Sequence, residues 1–301
     1  MADIKRSAVA LPTDISNEII QKTTEQSAIM RLARRITLPG NGVTIPMITG
    51  EPTAEWVEET GVKPVSNPGV NKKIMQAYKL AVIETFSKEF TRDLKALYDA
   101  LVARMPAALA FAFDKTVIGA VEKPGENFDN FAACTAQSIL ATSSASTYDG
   151  LVAADTDIAV AGYMLNGFAL SPQARGLLLA AVDSTGRPLI VNNVAEGAIP
   201  AILGAPAFIN KGMYKAGTAG TSGTPAVVGV AGDWTQAMYG TVEGVQIDIN
   251  DKGVVTVGSG TSATQVNLWQ QNMIAVRAEI EIGFRAVADA FNLLTGAVPQ
   301  S

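Results

Sequence analysis

A long acidic, proline-containing segment between two strand-like stretches constrains the fold of this chain more than any other feature. The segment Gly50–Gly69, GEPTAEWVEETGVKPVSNPG, holds three prolines, four glutamates and one tryptophan, Trp56. Neither the helical nor the strand period runs through it, and structureless loops of this length are uncommon in compact domains unless they are functional or disordered. The sequence therefore raises the question of what Trp56 contacts.

The segments that flank this loop predict an arm of β-strands. RITLP and VTIPMI surround Asn41-Gly42, a dipeptide typical of hairpin turns. After the loop, residues 74–90 alternate and predict one strand of roughly 40 Å or more, with Tyr78, Leu80, Val82 and Phe86 on one face. An isolated arm of this kind is marginal in water, so it needs a partner.

The remaining elements alternate between helix and strand. Apolar residues at three- and four-residue steps predict a helix over 91–119, and a second helix is expected over 127–141. A strand is expected at 162–166, and Ser171 and Pro172 predict a helix start. The last third is β-rich, and AVVGVAG, GVQIDIN and GVVTVG are expected to form strands. Over 272–287 the apolar residues Val276, Ala278, Ile280, Ile282 and Phe284 alternate with Arg277, Glu279, Glu281 and Arg285.

Composition excludes several classes of function. The 301 residues include no histidine and one cysteine, Cys134, which removes histidine-based catalysis, nearly all zinc sites and any internal disulfide. We expect Cys134 to be a core thiol, and neither a catalytic residue nor a metal or cofactor site is predicted. A net charge of −5 argues against a nucleic-acid reader, and no apolar run approaches a membrane span.

The same composition favours association. Hydrophobic residues make up 48% of the chain and charged residues 17%, and the mean hydropathy is +0.21, which suggests surface buried against other copies. For the cluster Arg31, Arg34 and Arg35, we favour stabilisation of a helix C-terminus and solvation over a nucleic-acid patch. A hydrolase that uses Glu58 with Glu59, or Glu279 with Glu281, is a weaker alternative, because neighbouring residues diverge and alternate strand residues are solvated.

Several motifs in the same order resemble the HK97-type major capsid proteins of tailed bacteriophages. LARRITLPGNGVTIPMITGEPTAEWVEETGVKP resembles the family's N-terminal arm and extended loop, QAYKLAVIETFSKEF its return strand, and TRDLKALYDALVARMPAALAFAFD its spine helix. LSPQARGLLLAAVDSTGRPL, LGAPAFINKGM, GDWTQAMYG and VRAEIEIGFRAVADAF resemble later family elements. Each motif is weak by itself, but the ordered set is specific and spans nearly the whole chain.

The resemblance implies an α+β, HK97-like capsid fold. It implies an N-terminal arm at 1–35, an extended-loop hairpin at 36–77, a peripheral β-rich domain with the spine helix at 78–141 and 241–301, and an axial α/β domain at 142–240. Self-assembly into pentamers and hexamers of an icosahedral shell around double-stranded phage DNA would follow. The extended loop would lie across a neighbouring subunit, with Trp56 as its anchor.

The implied partners are other copies of the chain, a portal, a separate scaffolding protein, packaged DNA without sequence-specific contacts, and in some assemblies a decoration protein, without a membrane. The virion capsid would form in the host bacterial cytoplasm. The chain starts directly at a short arm, so we expect no large N-terminal cleavage. The residues expected to contact other subunits are Trp56, Glu55, Glu58, Glu59, Lys63, Arg31, Arg34, Arg35, Arg277, Glu279 and Glu281.

We do not expect the covalent cross-link of some relatives, and we keep one alternative function within the same fold. Some relatives join subunits through a Lys–Asn isopeptide bond, but nothing around Lys63 or Asn292 singles them out, so no such bond is expected. A protein compartment of the encapsulin type keeps the fold and changes the cargo, and it is the main alternative within the same fold.

Overall fold

The computed structural model describes residues 21–40, 42–49, 56–57, 59, 63, 65, 69–89, 94–140, 146–181, 201–218, 223–242, 244–258 and 263–297. Its helices are α1 (Ala28–Leu32), α2 (Leu94–Val117), α3 (Thr147–Val160) and α4 (Pro172–Leu179), and residues 21–26 are also helical. Its strands are β1 (Arg34–Thr37), β2 (Val43–Thr49), β3 (Gly69–Met75), β4 (Tyr78–Ser87), β5 (Thr135–Ser138), β6 (Gly167–Leu170), β7 (Ala201–Ile202), β8 (Ala205–Ile209), β9 (Ala226–Gly232), β10 (Ala237–Thr241), β11 (Gln246–Asn250), β12 (Val254–Val257), β13 (Thr264–Asn267), β14 (Met273–Ala286) and β15 (Phe291–Ala297).

The first sheet is organised around β14. The strands follow the order β1-β10-β14-β11, and β4 pairs with the opposite side of β14. The predicted alternation of β14 is confirmed, since Val276, Ala278, Ile280, Ile282 and Phe284 are all buried. Met105 and Leu109 of α2 belong to the same apolar cluster as the first three of these residues, so the long helix covers this face of the sheet.

The second sheet has six strands in the order β5-β15-β9-β6-β8-β7. Helices α3 and α4 pack on it through an apolar cluster that includes Leu151, Ala154, Ala174 and Leu178. Two further strand pairs, β2-β3 and β12-β13, are separate two-stranded ribbons. Among the described residues, no helix is both long and apolar enough to span a membrane.

An aromatic cluster joins the two sheets. Phe284 belongs to the first sheet and Phe291 to the second, and Phe131 lies between them at ring-centre distances of 5.6 and 4.6 Å. Phe113 of α2 contacts Phe284 at 6.0 Å. Edge-to-face and tilted pairs at these distances add to the stabilisation gained from burial alone, so this cluster is the centre of the subunit.

A buried carboxylate attaches α1 to the long helix. Ser27 caps α1, and its hydroxyl donates to Asp114 Oδ1 at 2.6 Å while the backbone N–H of Ala28 donates to Asp114 Oδ2 at 3.1 Å. Ile29 is fully buried beside this contact. Burial raises the pKa of Asp114 to about 7, while the hydrogen bonds from Ser27 and Ala28 act in the opposite direction.

Several local predictions are confirmed. Ser171 caps α4 by accepting a hydrogen bond from the backbone N–H of Ala174, and Pro172 is the first helical residue. The strand motif AVVGVAG forms β9 along its whole length. These elements are specified by short-range signals, namely a cap in one case and a run of small and β-branched residues in the other.

Two predictions about the arm are wrong. The strands on either side of Asn41-Gly42 do not pair with each other, because β1 pairs in parallel with β10 and β2 pairs with β3. Residues 74–90 do not form one strand, since the chain leaves the ribbon after Met75 and enters the first sheet at Tyr78. In both cases the decisive pairing is with residues that are distant in sequence.

Two further predictions fail between the long helix and α4. Where a helix was expected over 127–141, the described residues 127–140 contain a short 3-10 segment, Phe131–Ala133, and strand β5 instead. The strand expected at 162–166 lies in a turn and coil before β6, and α3 was not anticipated. Three large apolar residues of this stretch, Phe128, Phe131 and Ile139, are buried in the aromatic cluster and against the second sheet, so tertiary packing overrides the local pattern.

Replacement of Asp114 tests the buried anchor of α1. The pKa of Asp114 is about 7 in the folded chain, above the unfolded value of 3.8. The protonated side chain therefore contributes stability that is fully present below pH 3.8 and is lost as the pH rises through about 7. Asp114→Asn removes this dependence, which amounts to on the order of 4 kcal/mol over the full range. The difference in free energy of unfolding, variant minus wild type, should therefore be larger at pH 8 than at pH 5. Denaturant titration of the unassembled subunit measures it.

Asp149→Asn is the matched control, because Asp149 lies in an exposed capping box and its hydrogen bonds with Ser146 lower the pKa of Asp149. The sign is opposite, since this contribution is lost as pH falls. An Asp114→Asn variant whose stability runs parallel to the wild type between pH 5 and 8 would contradict the anchor.

Candidate inter-subunit surfaces

The arm is a two-stranded ribbon that carries Trp56 beyond the sheets. Strands β2 and β3 pair in register from Val43↔Met75 to Thr49↔Gly69, which leaves the acidic segment at the far end. The Trp56 side chain has 105% of its reference exposure and Val65 has 92%. A fully exposed tryptophan on an isolated ribbon buries none of its apolar surface within its own chain, so this loop is a surface suited to contact with another molecule.

Two other predicted contact residues of the loop are also described. Glu59 and Lys63 are exposed, like Trp56. Glu55 and Glu58 lie outside the described residues. The structure therefore places the described members of this predicted set on the outside of the subunit, and their contact with another chain stays a prediction.

A charged clamp holds the base of the arm. Arg285, only 8% exposed, donates from Nε to the carbonyl oxygen of Ile74 at 2.8 Å, and its Nη2 donates to the same oxygen. Its Nη1 donates to Asp129 Oδ1 at 2.7 Å, and its Nη2 donates to Asn127 Oδ1 at 3.0 Å. One guanidinium thus binds the end of β3 to the segment that precedes Phe131 of the aromatic cluster.

Asp129 completes the clamp from the opposite side. Its Oδ2 accepts from Lys73 Nζ at 3.0 Å and from the backbone N–H of Ala286 at 3.3 Å. Lys73 also donates to the carbonyl oxygen of Ala286 at 2.9 Å. Lysine and arginine from two different strands therefore share one carboxylate, and the charge-assisted hydrogen bonds fix the ribbon against β14.

Close backbone packing accompanies the clamp at Gly283. A Cβ atom at this position would lie 2.6 Å from the carbonyl oxygen of Gln76, a separation that ordinary side chains do not reach. Met75 is fully buried at the same crossing. Sequence reasoning placed Arg285 on the outer face of β14 and missed its role, although a glycine inside a strand signals a close approach of another backbone.

The second predicted set, Arg277, Glu279 and Glu281, forms cross-strand ion pairs within the subunit. Arg277 Nη2 lies 2.5 Å from Asp248 Oδ2 on β11, and Lys79 Nζ on β4 lies 2.7 Å from Glu279 Oε1 and 3.5 Å from Glu281 Oε1. The hydrogen bond from Lys79 lowers the pKa of Glu279 and raises that of Lys79. These ion pairs connect three strands of the same subunit.

This pairing removes the support for carboxylate chemistry at Glu279 and Glu281. A general acid needs a raised pKa, whereas the pKa of Glu279 is lowered by its lysine partner. Cys134 is half-buried against the aromatic cluster, and burial raises the pKa of its thiol to about 12, which disfavours the thiolate. Within the described part of the chain, no group of three side chains suited to a metal ion occurs.

The third predicted set, Arg31, Arg34 and Arg35, extends from α1 into β1. All three side chains are exposed. The guanidinium of Arg31 lies over the ring of Phe208 at 4.0 Å, a cation–π contact. Arg31 thus has an aromatic partner in its own chain and keeps part of its surface exposed.

Asn292 is not available to a neighbouring lysine. It lies fully buried on β15, and its Nδ2 donates to Asp157 Oδ2 at 2.8 Å. Lys63, by contrast, is exposed in the arm loop. Formation of an isopeptide bond between these residues would require Asn292 to leave its own core.

The comparisons with known proteins agree with this architecture. The model of the phage capsid family matches residues 7–296. The probable major capsid protein gp17 of Mycobacterium phage D29 is 26% identical over 299 residues, with 96% of this chain and 90% of the relative covered. The protein of the same description from Mycobacterium phage L5 is 28% identical over 285 residues, with 89% and 84% covered.

A solved structure from Microbacterium phage Oxtober96 has the same fold. Its TM-score is 0.68 at 20% identity, with 90% of this chain and 91% of that chain covered. The mixed helices and sheets and the long helix α2 are thus those of an HK97-like capsid fold.

The chain belongs to the phage capsid family. It is a major capsid protein of a tailed phage, a structural subunit of which multiple copies build the capsid shell of the virion. The encapsulin-like compartment and the hydrolase are not supported by these matches.

Substitution of Arg285 tests the clamp. Arg285→Met leaves Asp129 and the Ile74 carbonyl oxygen without their main donor in a largely buried site, and such losses cost about 3 kcal/mol or more. We expect a lower free energy of unfolding and faster hydrogen exchange at the backbone amides of residues 72–75.

Arg277→Met is the matched control, because Arg277 lies on the same strand and its ion pair with Asp248 is exposed. Its effect on the free energy of unfolding should be much smaller. Equal losses for the two variants, or unchanged exchange in the arm base of Arg285→Met, would contradict the clamp.

Burial of Asn292 predicts the absence of covalent links through this residue. Assembled particles boiled in denaturant should run on gels as one band of subunit size. A ladder of multiples that disappears in an Asn292→Asp variant would show that the buried amide does react.

Proposed function

We propose that this subunit assembles into pentamers and hexamers of an icosahedral shell that encloses double-stranded phage DNA, and that its arm lies across a neighbouring subunit. The observation that carries the proposal is the fully exposed Trp56 at the end of a ribbon whose base is clamped. A rigid base with an exposed aromatic tip is suited to contact with a second surface, because aromatic side chains dominate the energy of protein interfaces.

Head-to-tail contacts between copies would account for the ring arrangement. If the arm of each copy contacts a different surface of the next copy, the contact is heterologous, and heterologous contacts form closed rings when the rotation is right. Both five- and six-membered rings then require small changes of angle between neighbours. A single ribbon held at one base can accommodate such changes without repacking of the sheets.

For the domain layout, we propose a peripheral unit at 78–141 and 241–301 and an axial unit at 142–240, preceded by the N-terminal arm at 1–35 and the extended-loop hairpin at 36–77. The first sheet with α2 supports the peripheral unit, and the second sheet with α3 and α4 supports the axial unit. Strands β5 and β15 pair within the second sheet and so connect the two units.

Further partners belong to the same proposal. A separate scaffolding protein would direct assembly in the host bacterial cytoplasm, a portal would occupy one vertex, and a decoration protein is an optional partner outside. The net charge of −5 supports a shell that encloses DNA without binding it tightly, since contacts to the phosphates would oppose DNA release.

Trp56→Ala tests the lapping arm. We expect the yield of closed shells to fall about tenfold or more, because central aromatic residues typically contribute 2 kcal/mol or more to an interface. The free energy of unfolding of the unassembled subunit should not change, since Trp56 is fully exposed there. Electron microscopy and light scattering measure the yield, and denaturant titration measures the stability.

Trp269→Ala is the matched control, because Trp269 is 76% exposed and lies in the turn after β13, outside the arm loop in sequence. Its effect on shell yield should be smaller, and Trp56→Phe should retain part of the yield. Wild-type yield from Trp56→Ala would contradict the lapping arm.

A further inference from the structure

Three elements meet around Asp114, and each places a cation beside the junction. The N-terminus of α1 donates to Asp114 on α2, and the 3-10 segment Lys211–Met213 packs against it so closely that a Cβ at Gly212 would lie 2.7 Å from the Asp114 Cβ. Arg31 follows on α1, Lys115 is next to Asp114 on α2, and Lys211 begins the 3-10 segment. Asp114 itself is fully buried and does not reach the surface.

Two of these cations, Arg31 and Lys115, lie over aromatic rings. The Arg31 guanidinium lies 4.0 Å from the ring centre of Phe208, and Lys115 Nζ lies 4.5 Å from that of Phe111, which is 37% exposed. Among the described residues, none of the three cations has a carboxylate within ion-pair distance. We call Arg31, Phe111, Lys115, Phe208 and Lys211 the basic–aromatic patch.

The arm loop has the complementary chemistry. Between Gly50 and Gly69 there are four glutamates and one lysine, a net charge of −3, around a single fully exposed tryptophan. Carboxylates pair with arginine and lysine, and a tryptophan ring is the best partner for a guanidinium or ammonium group. Opposite charges on two surfaces also fix their register and suppress wrong pairings.

We propose that the basic–aromatic patch of one subunit is the docking site for the arm loop of a neighbouring copy. This inference rests on the lapping arm proposed above and adds the receiving surface. The glutamates pair with Arg31, Lys115 and Lys211, and Trp56 packs on the exposed faces of the patch. Because Arg31 and Lys115 are already held over aromatic rings, these two side chains lose little freedom when the loop binds.

A charge exchange between the two surfaces tests the docking. Arg31→Glu/Lys211→Glu and Glu58→Lys/Glu59→Lys should each lower the yield of closed shells about tenfold or more, because attraction becomes repulsion in every copy. The variant that combines all four substitutions should recover most of the yield. The control combines Arg34→Glu/Arg35→Glu with the same loop substitutions, and it should show no recovery, since these exposed arginines lie on β1 outside the patch.

Two outcomes would overturn the docking site. One is absence of recovery in the combined variant. The other is normal shell yield from Arg31→Glu/Lys211→Glu. If those normal shells also hold less DNA, the patch contacts the packaged nucleic acid instead. Denaturant titration of each unassembled variant confirms that it is folded.

A photo-crosslink gives a second test that leaves the patch unchanged. p-Benzoylphenylalanine in place of Trp56 should, on irradiation of assembled shells, join two copies through peptides that contain Phe111 or Phe208–Lys211. Inter-copy links exclusively to other peptides would overturn the patch while they support the lapping arm. Links within one copy, together with normal shells from Trp56→Ala, would refute the lapping arm itself, so the two failures are distinguishable.

Discussion

One strand, β14, carries both the core of the subunit and the base of its arm. Phe284 points into the aromatic cluster that joins the two sheets, and the next residue, Arg285, binds the arm on the opposite face. Because side chains alternate along a strand, adjacent residues serve opposite faces without competition. A ribbon that is marginal by itself is thereby tied to the most deeply buried part of the molecule.

The distribution of charge follows from this arrangement. On the first sheet, Lys79 and Arg277 have carboxylate partners on neighbouring strands, and Arg285 pairs with Asp129 in the segment before the aromatic cluster. The charges of such pairs are compensated within the subunit, so these side chains attract other copies only weakly. Two cations of the basic–aromatic patch, Arg31 and Lys115, are held over rings instead, and Trp56 of the acidic arm loop is fully exposed. The chain thus separates charges that stabilise the subunit from charges that are free to act between subunits.

Short-range signals in the sequence were sufficient for many elements. The cap at Ser171, the apolar run of β9 and the alternation of β14 predicted their structures correctly, because each signal lies within the element itself. The strands that flank the Asn-Gly dipeptide do not form the expected hairpin, since β1 pairs with β10 some 200 residues later and β2 pairs with β3. Pairing partners at such distances are chosen by tertiary packing and leave no local trace.

The candidate surfaces also divide into those that a local sequence signal reveals and those that depend on long-range contacts. Trp56 stood out in sequence because an aromatic residue in an acidic, proline-containing loop has no local structure to join. The clamp did not, because Asp129 and Arg285 are 156 residues apart and neither has an unusual neighbourhood. Only Gly283, a glycine inside a long alternating strand, indicated that another backbone passes there.

The most direct measurement is a cryo-electron microscopy reconstruction of the assembled shell in which Trp56 can be traced. The predicted result is that its ring lies on a neighbouring subunit, with the base of its own arm still bound to Arg285. A reconstruction in which Trp56 folds back onto its own subunit, with the neighbours joined through other surfaces, would contradict the lapping arm.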